Sequence, residues 1–154
     1  MREWTVTVPA PYIKPVRKRK TGKMFTRKPW LNSNDRDHWS VLSPIRADWR
    51  RLAAEAAAAA GLPQGLDRVT ITGRVVKTRA GDFDAMNFYP TAKAIVDGLI
   101  DHGMCEDDNN RFVEGPFLFE GGKGDPCIIL TIRELPVSLP SDVDDTPSGV
   151  VLGK

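Results

Sequence analysis

The sequence predicts an α/β (α+β) fold, a single small domain with a mixed β-sheet and two helices packed on one of its faces. Three observations predict it. Two segments, about 37–60 and 90–102, carry apolar residues at helical spacing. Several others are rich in β-branched residues or alternate in polarity. Their order is β, long loop, α, β, α, β, β, and a sheet covered on one side by two helices buries both apolar stripes. With 154 residues, 41% hydrophobic and 27% charged, the chain has room for one core and the composition of a globular protein.

Residues 3–8, Glu-Trp-Thr-Val-Thr-Val, alternate and read as a strand that Pro9 and Pro11 end. Residues 12–31 are basic, poor in aliphatics and punctuated by Pro15, Gly22 and Pro29, so they read as a long loop or arm. Asn32-Ser33-Asn34-Asp35 offers helix N-caps for the segment from Asp37 to Ala60. There Leu42, Ile45, Trp49, Leu52, Ala53 and Ala56 form the buried stripe. Pro44 is expected to separate the first turn or two, and Gly61 with Pro63 to end the helix.

Residues 66–78 predict a half-buried strand with Val69, Ile71, Gly73 and Val75 on one face. Arg79-Ala80-Gly81 breaks it. Pro90 suits the first position of a second helix, whose stripe is Ala92, Ile95, Val96, Leu99 and Ile100 and whose stop is Gly103. A strand within Arg111–Glu120 and another at Cys127–Arg133 are expected to form a hairpin through Gly121–Asp125. The tail 136–154, rich in Pro, Ser, Gly and Asp, reads as disordered and leaves 1–135 as the domain.

The net charge of +2 is unevenly spread. Lys14, Arg17, Lys18, Arg19, Lys20, Lys23, Arg27 and Lys28 fall in a stretch without an acid, which points to nucleic acid or another polyanion. A solvated basic loop is the plain alternative. No run of 18 apolar residues exists, so no membrane span is expected. The first residues lack the apolar core of a signal peptide, so a cytoplasmic protein is expected, with Cys105 and Cys127 as reduced thiols. Neither cysteine has a partner at zinc-ligand spacing, and His38 and His102 are isolated.

Acids occur in two tight groups, Asp82/Asp84 and Glu106/Asp107/Asp108, on either side of the second helix. Carboxylates repel, so bringing them together calls for a cation. Magnesium takes one or two carboxylates, with waters and a substrate oxygen completing the shell, and such an ion is a common device for cutting phosphodiesters. Asp82, Asp84, Asp107 and Asp108 are the candidate ligands. Lys93 is the candidate for the scissile phosphate and Asn87 a supporting residue. An ion pair between Lys93 and Asp97, with Asp101 in the same charged row, is the structural alternative for the lysine. A solvated acidic turn is the alternative for residues 106–108. The oxygen ladder of an EF-hand is absent, as are a glycine-rich phosphate loop and a Ser/Cys–His nucleophile pattern.

Asn87, then Lys93-Ala94-Ile95-Val96-Asp97-Gly98-Leu99, then Gly103, then Asp107-Asp108 resembles the signature of the RusA family of Holliday junction resolvases. Pro90-Thr91 before the lysine is similar to versions carried by phages of actinobacteria, and Leu31–Arg36 resembles the family's early Asn-containing loop. The resemblance covers about residues 30–135. It implies a RusA-like fold, a homodimer, and magnesium-dependent paired cleavage of four-way DNA junctions in recombination and repair, with manganese as a substitute ion. It also implies a bacterial or phage-infected cell. Asp84 and Asp108 would be the catalytic acids, Lys93 the essential lysine, and Asp107, Asn87 and Asp97 supporting residues. The match departs at one place. Lys93 follows Asn87 by about one helical turn more than in the family's simplest form, and Met86 falls where that form has its second acid. Either Asp82 and Asp84 supply that pair, or the chain is a branched-DNA-binding protein that has lost part of its metal site.

Overall fold

β-Branched and aliphatic residues at buried positions of four strands build the sheet's side of the core. The computed structural model describes residues 1–79 and 81–136; the expected disordered tail lies, beyond Pro136, outside the described residues. Strand β1 is Glu3–Pro9, and Val6 and Val8 are its buried residues. Two short strands follow, β2 (Val16–Arg17) and β3 (Met24–Phe25). Helix α1 is Trp39–Ala59, strand β4 Val69–Lys77, helix α2 Tyr89–His102, strand β5 Val113–Lys123 and strand β6 Cys127–Glu134. A 3-10 turn, Ala85–Phe88, leads into α2. The expected mixed α+β domain is what forms.

The main sheet has the order β1-β6-β4-β5. β6 pairs antiparallel with both β1 and β4, and β4 pairs in parallel with β5. The parallel pair needs a crossover, which α2 supplies. The expected hairpin between the last two strands is therefore corrected: β4 lies between them. Lys77 pairs with Lys123 and Val76 with Cys127, while Gly124 donates its N–H to the Lys77 carbonyl, so the turn passes across the end of β4. β4 carries Val69, Ile71 and Val75 fully buried, the composition of a central strand. A turn sequence reports only that the chain reverses, not whether a third strand fits between its arms.

The arm at 12–31 is also corrected from a plain loop, since it contains the small β2–β3 hairpin. Lys18 donates its N–H to the Lys23 carbonyl, and the Arg17 guanidinium donates to the Gly22 carbonyl at 2.7 Å. α1 starts later than expected and is capped by His38, whose ring accepts the Ser40 N–H. Asn32–Asp35 instead closes on itself: the Asn32 side chain accepts the Asn34 N–H and the Asp35 carboxylate accepts the Asn32 N–H. Pro44 does not divide the helix. Its missing N–H would have served the Ser40 carbonyl, which lies near the exposed helix start where water can replace it.

The two helices cross in close contact at Gly98. A Cβ there would overlap the Arg50 carbonyl oxygen and lie 2.8 Å from the Ala53 Cβ. Beside that contact Arg50 makes two hydrogen bonds to Asp101, at 2.5 and 2.8 Å. The Asp101 carboxyl is consequently held below its usual range, by hydrogen bonding first, with a small opposing effect of desolvation and a further lowering by the Arg50 charge. Gly103, at φ 99°, ends α2 in the left-handed region as expected.

The loop before α1 is fastened to both helices. The Thr91 hydroxyl, fully buried, donates to the Leu31 carbonyl at 2.6 Å and accepts the Leu31 N–H at 2.8 Å. The Trp49 indole donates to the Pro29 carbonyl, and the Ser33 N–H to the Asn87 carbonyl. Cys105 and Cys127 are unpaired. No helix among the described residues is long and apolar enough to cross a membrane.

Replacing Gly98 by alanine is expected to destabilise the protein by about 1–3 kcal/mol, because backbone must move to admit one methyl group. Urea denaturation checks this: the midpoint should fall with little change in slope.

Candidate functional site

Helical spacing stacks Lys93 one turn before Asp97 on α2. The turn after α2 brings Asp108 back to the same place. The Lys93 ammonium donates to Asp97 Oδ1 at 2.7 Å and to Asp108 Oδ2 at 2.5 Å. One cation thus sits between two carboxylates drawn from positions eleven residues apart in the chain. The expected Lys93–Asp97 pair is present, but it is half of a larger unit. Asp101, expected in the same row, turns instead to Arg50.

Asp107 builds the turn that presents Asp108. It accepts the Asp108 N–H with one oxygen and the Asn109 side-chain amide with the other. Asn109 in turn accepts the Arg111 N–H. Asp84 caps the 3-10 turn by accepting the Met86 N–H at 3.0 Å, and so stands at the entry to α2. Asp82 and Glu106 are exposed. Asn87 contributes its carbonyl to Ser33.

The structure therefore brings together Lys93, Asp97 and Asp108, with Asp107 behind them. Among the described residues, no three acid, histidine or cysteine side chains gather as one ligand set. Asp84 and Asp107 each accept a backbone N–H of their own turn with one oxygen. The donor chemistry of Asp97 and Asp108 nonetheless suits a hard cation, being oxygen alone, already turned toward a positive charge, and only partly buried at 28% and 27% exposure. Met86 is exposed and supplies no oxygen.

Partial burial is the largest single influence on Lys93 and pushes its pKa down. Hydrogen bonds to Asp108 and Asp97, with their charges, outweigh it and leave the pKa raised. The hydrogen bond from Lys93 is the main reason the Asp108 pKa is lowered, with desolvation opposing and the lysine charge assisting. The signs agree, so Lys93 and Asp108 are both charged at neutral pH. The Cys105 thiol is pushed up to about 11, by burial and then by the Asp67 charge, and burial also raises Cys127. Neither is a ready nucleophile. His102 bonds the Leu62 carbonyl and His38 caps α1, so both histidines have structural partners.

The basic arm is exposed from Lys14 through Met24. Lys18 and Arg27 lie 5.3 Å from the Phe25 ring centroid, and Arg27 also approaches Asp37 at 3.7 Å. Between the end of this arm and the β4–α2 connection lies a cleft of about 910 Å³ whose walls include Asp84 and Asn87. The sequence pattern does not single out three of its aromatic residues, Trp30, Phe83 and Phe88. They belong to no periodic stripe, and the available signal is large aromatic residues in segments without a helix or strand period.

No protein-family model matches the chain, and no curated protein matches it.

Replacing Lys93 by methionine should move the Asp108 titration midpoint upward, read by carbon NMR of the side-chain carboxyl. The Asp108 contribution to stability is present above its ordinary value of 3.8 and is lost as pH falls through the lowered folded value. The Lys93 contribution is present below 10.5 and is lost as pH rises through the raised folded value. The variant should accordingly show a weaker pH dependence of stability at both extremes.

Proposed function

We propose that the chain is a magnesium-dependent endonuclease that resolves four-way DNA junctions, acting as a homodimer in the manner of the RusA family. The observation that carries this reading is the Lys93–Asp97–Asp108 unit, which joins the lysine, helix acid and double-Asp of the family's signature at one point. Asp108 and Asp97, with Asp84 at the entry to α2, are the residues that would hold the metal. A bound magnesium ion there supplies a Lewis acid for the phosphate and lowers the pKa of water.

The protein's own part follows from the groups present. Lys93 carries three donors and is 46% exposed, so a phosphate oxygen can take a share of its charge as negative charge builds in the transition state. Asp97 and Asp108 orient the ammonium, and the turn made by Asp107 holds Asp108 in reach. The exposed lysines and arginines of the arm, from Lys14 to Lys23, with Lys28 beyond them, supply phosphate contacts that hold and orient the junction. A two-fold axis would place two identical sites on opposed strands, which suits paired cuts.

A second reading, a branched-DNA-binding protein without catalysis, is favoured by one observation. Lys93 already occupies Asp97 and Asp108 and offsets one of their two negative charges.

The deciding experiment is cleavage of a synthetic four-way junction in magnesium and in manganese, with linear duplex of the same sequence as control. Paired nicks on the junction alone are expected, with Asp108→Asn at least about a hundredfold slower. Tight junction binding with no nicks in either metal would replace this reading with the second. Changing Lys18, Lys20 and Lys23 together to glutamine should weaken junction binding. The slope of log affinity against log salt should then flatten by about 0.9 for each phosphate that is no longer neutralised.

A further inference from the structure

The cleft beside Asp84 has a composition that the metal-centred reading does not use. One wall is the stretch from Phe25 to Asp37 and the other the stretch from Lys77 to Phe88. The first wall is rigid at its base, because Thr91 holds Leu31, Trp49 holds Pro29 and Asn87 holds Ser33. At about 910 Å³ the cleft falls in the range of small-molecule sites.

Three of its aromatic residues, Phe83, Phe88 and Trp30, form a continuous chain that runs on to the buried Trp49 behind the cleft. Phe83 meets Phe88 edge to face at 5.6 Å, Phe88 meets Trp30 edge to face at 5.3 Å, and Trp30 stacks on Trp49 at 5.3 Å. Cations line the same space. Lys77 rests 4.5 Å from the Phe83 centroid and 5.6 Å from that of Phe88. Among the described residues, no carboxylate lies within ion-pair distance of Lys77, Lys28 or Arg79. The carboxylates of the cleft are engaged: Asp37 near Arg27, Asp35 on the Asn32 N–H, and Asp84 on the Met86 N–H.

Aromatic rings beside cations that outnumber the acids only slightly suit a nucleotide, a flat base that can stack with one negative charge attached. A bare anion would leave the rings unused. A triphosphate would meet Asp35 and Asp84. A fully paired duplex would keep its bases stacked out of reach.

We infer that this cleft takes one unpaired nucleotide of a DNA strand, its base against the partly exposed Trp30 and Phe83 and its phosphate on Lys77, Lys28 and Arg79. The inference rests on the nuclease reading for its substrate, since Asp84 and Asn87 share the wall and would place that nucleotide next to the phosphate to be cut. A branch point is where duplex DNA most easily yields an unpaired base.

The test uses the full chain in EDTA, so that binding is read without cleavage. A tetranucleotide containing 2-aminopurine is titrated with the wild type and with Lys77→Gln and Phe83→Leu, each checked for an unchanged melting temperature. Saturable quenching of the 2-aminopurine is expected, weakened about tenfold by either change, and displaced by unlabelled tetranucleotide far better than by inorganic phosphate. Absence of saturable quenching by the wild type overturns the inference, and that result needs no variant. So does equal affinity in a folded Lys77→Gln protein, or competition by phosphate as strong as by the tetranucleotide. Quenching that depends on Lys77 in a protein that never nicks a junction would keep the cleft and discard the nuclease. Junction cleavage without such quenching would do the reverse.

Discussion

The close crossing of α1 over α2 at Gly98 is the constraint on which the rest of the structure depends. The Arg50 carbonyl occupies the space where any side chain at position 98 would begin. Alanine-rich packing on α1 and the absence of a Cβ on α2 together permit this approach, and Arg50 and Asp101 bind the helices across it. The approach fixes the rotation of α2. Leu99, Ile95 and Ala92 then point into the core, and the Lys93–Asp97 edge is left at the surface.

From that rotation the candidate site follows. Lys93 and Asp97 are on one edge because they are one turn apart on a helix that cannot roll. Asp108 joins them because Gly103 ends the helix in a left-handed turn and the Asp107 turn sends the chain back. The same rotation aims Thr91 at Leu31, and through Leu31 it holds the loop that forms one wall of the aromatic cleft. The acid–lysine unit and the cleft are thus two consequences of a single helix placement.

Electrostatics and the Asp107 turn together keep the unit assembled. The partly exposed ammonium offsets one of the two carboxylate charges, and the shifts of Lys93 and Asp108 widen the pH range over which both stay charged. The same compensation makes the unit a resting arrangement. A phosphate or metal ion that enters must compete with the lysine for the acids, or with the acids for the lysine. The cleft differs, since Lys77 is held by aromatic rings and leaves its charge for an incoming anion.

The sequence by itself determined the elements and the local chemistry. Period-3.6 stripes located α1 and α2, alternation located β1 and β4, a short apolar run located β6, and Gly103 and Pro90 marked the ends of α2. Lys93, Asp97 and Asp107-Asp108 stood out because their spacing is itself a local property. Tertiary structure decided the rest. It inserted β4 between β5 and β6, because strand order depends on which buried face fits which, and a turn does not encode that. It folded part of the basic arm into a hairpin and moved the cap of α1 from Asn32–Asp35 to His38, because competing turns of similar local stability are resolved by packing. And it assembled Trp30, Phe83, Phe88 and Lys77 into one wall, since contacts between residues far apart in the chain leave no period to read.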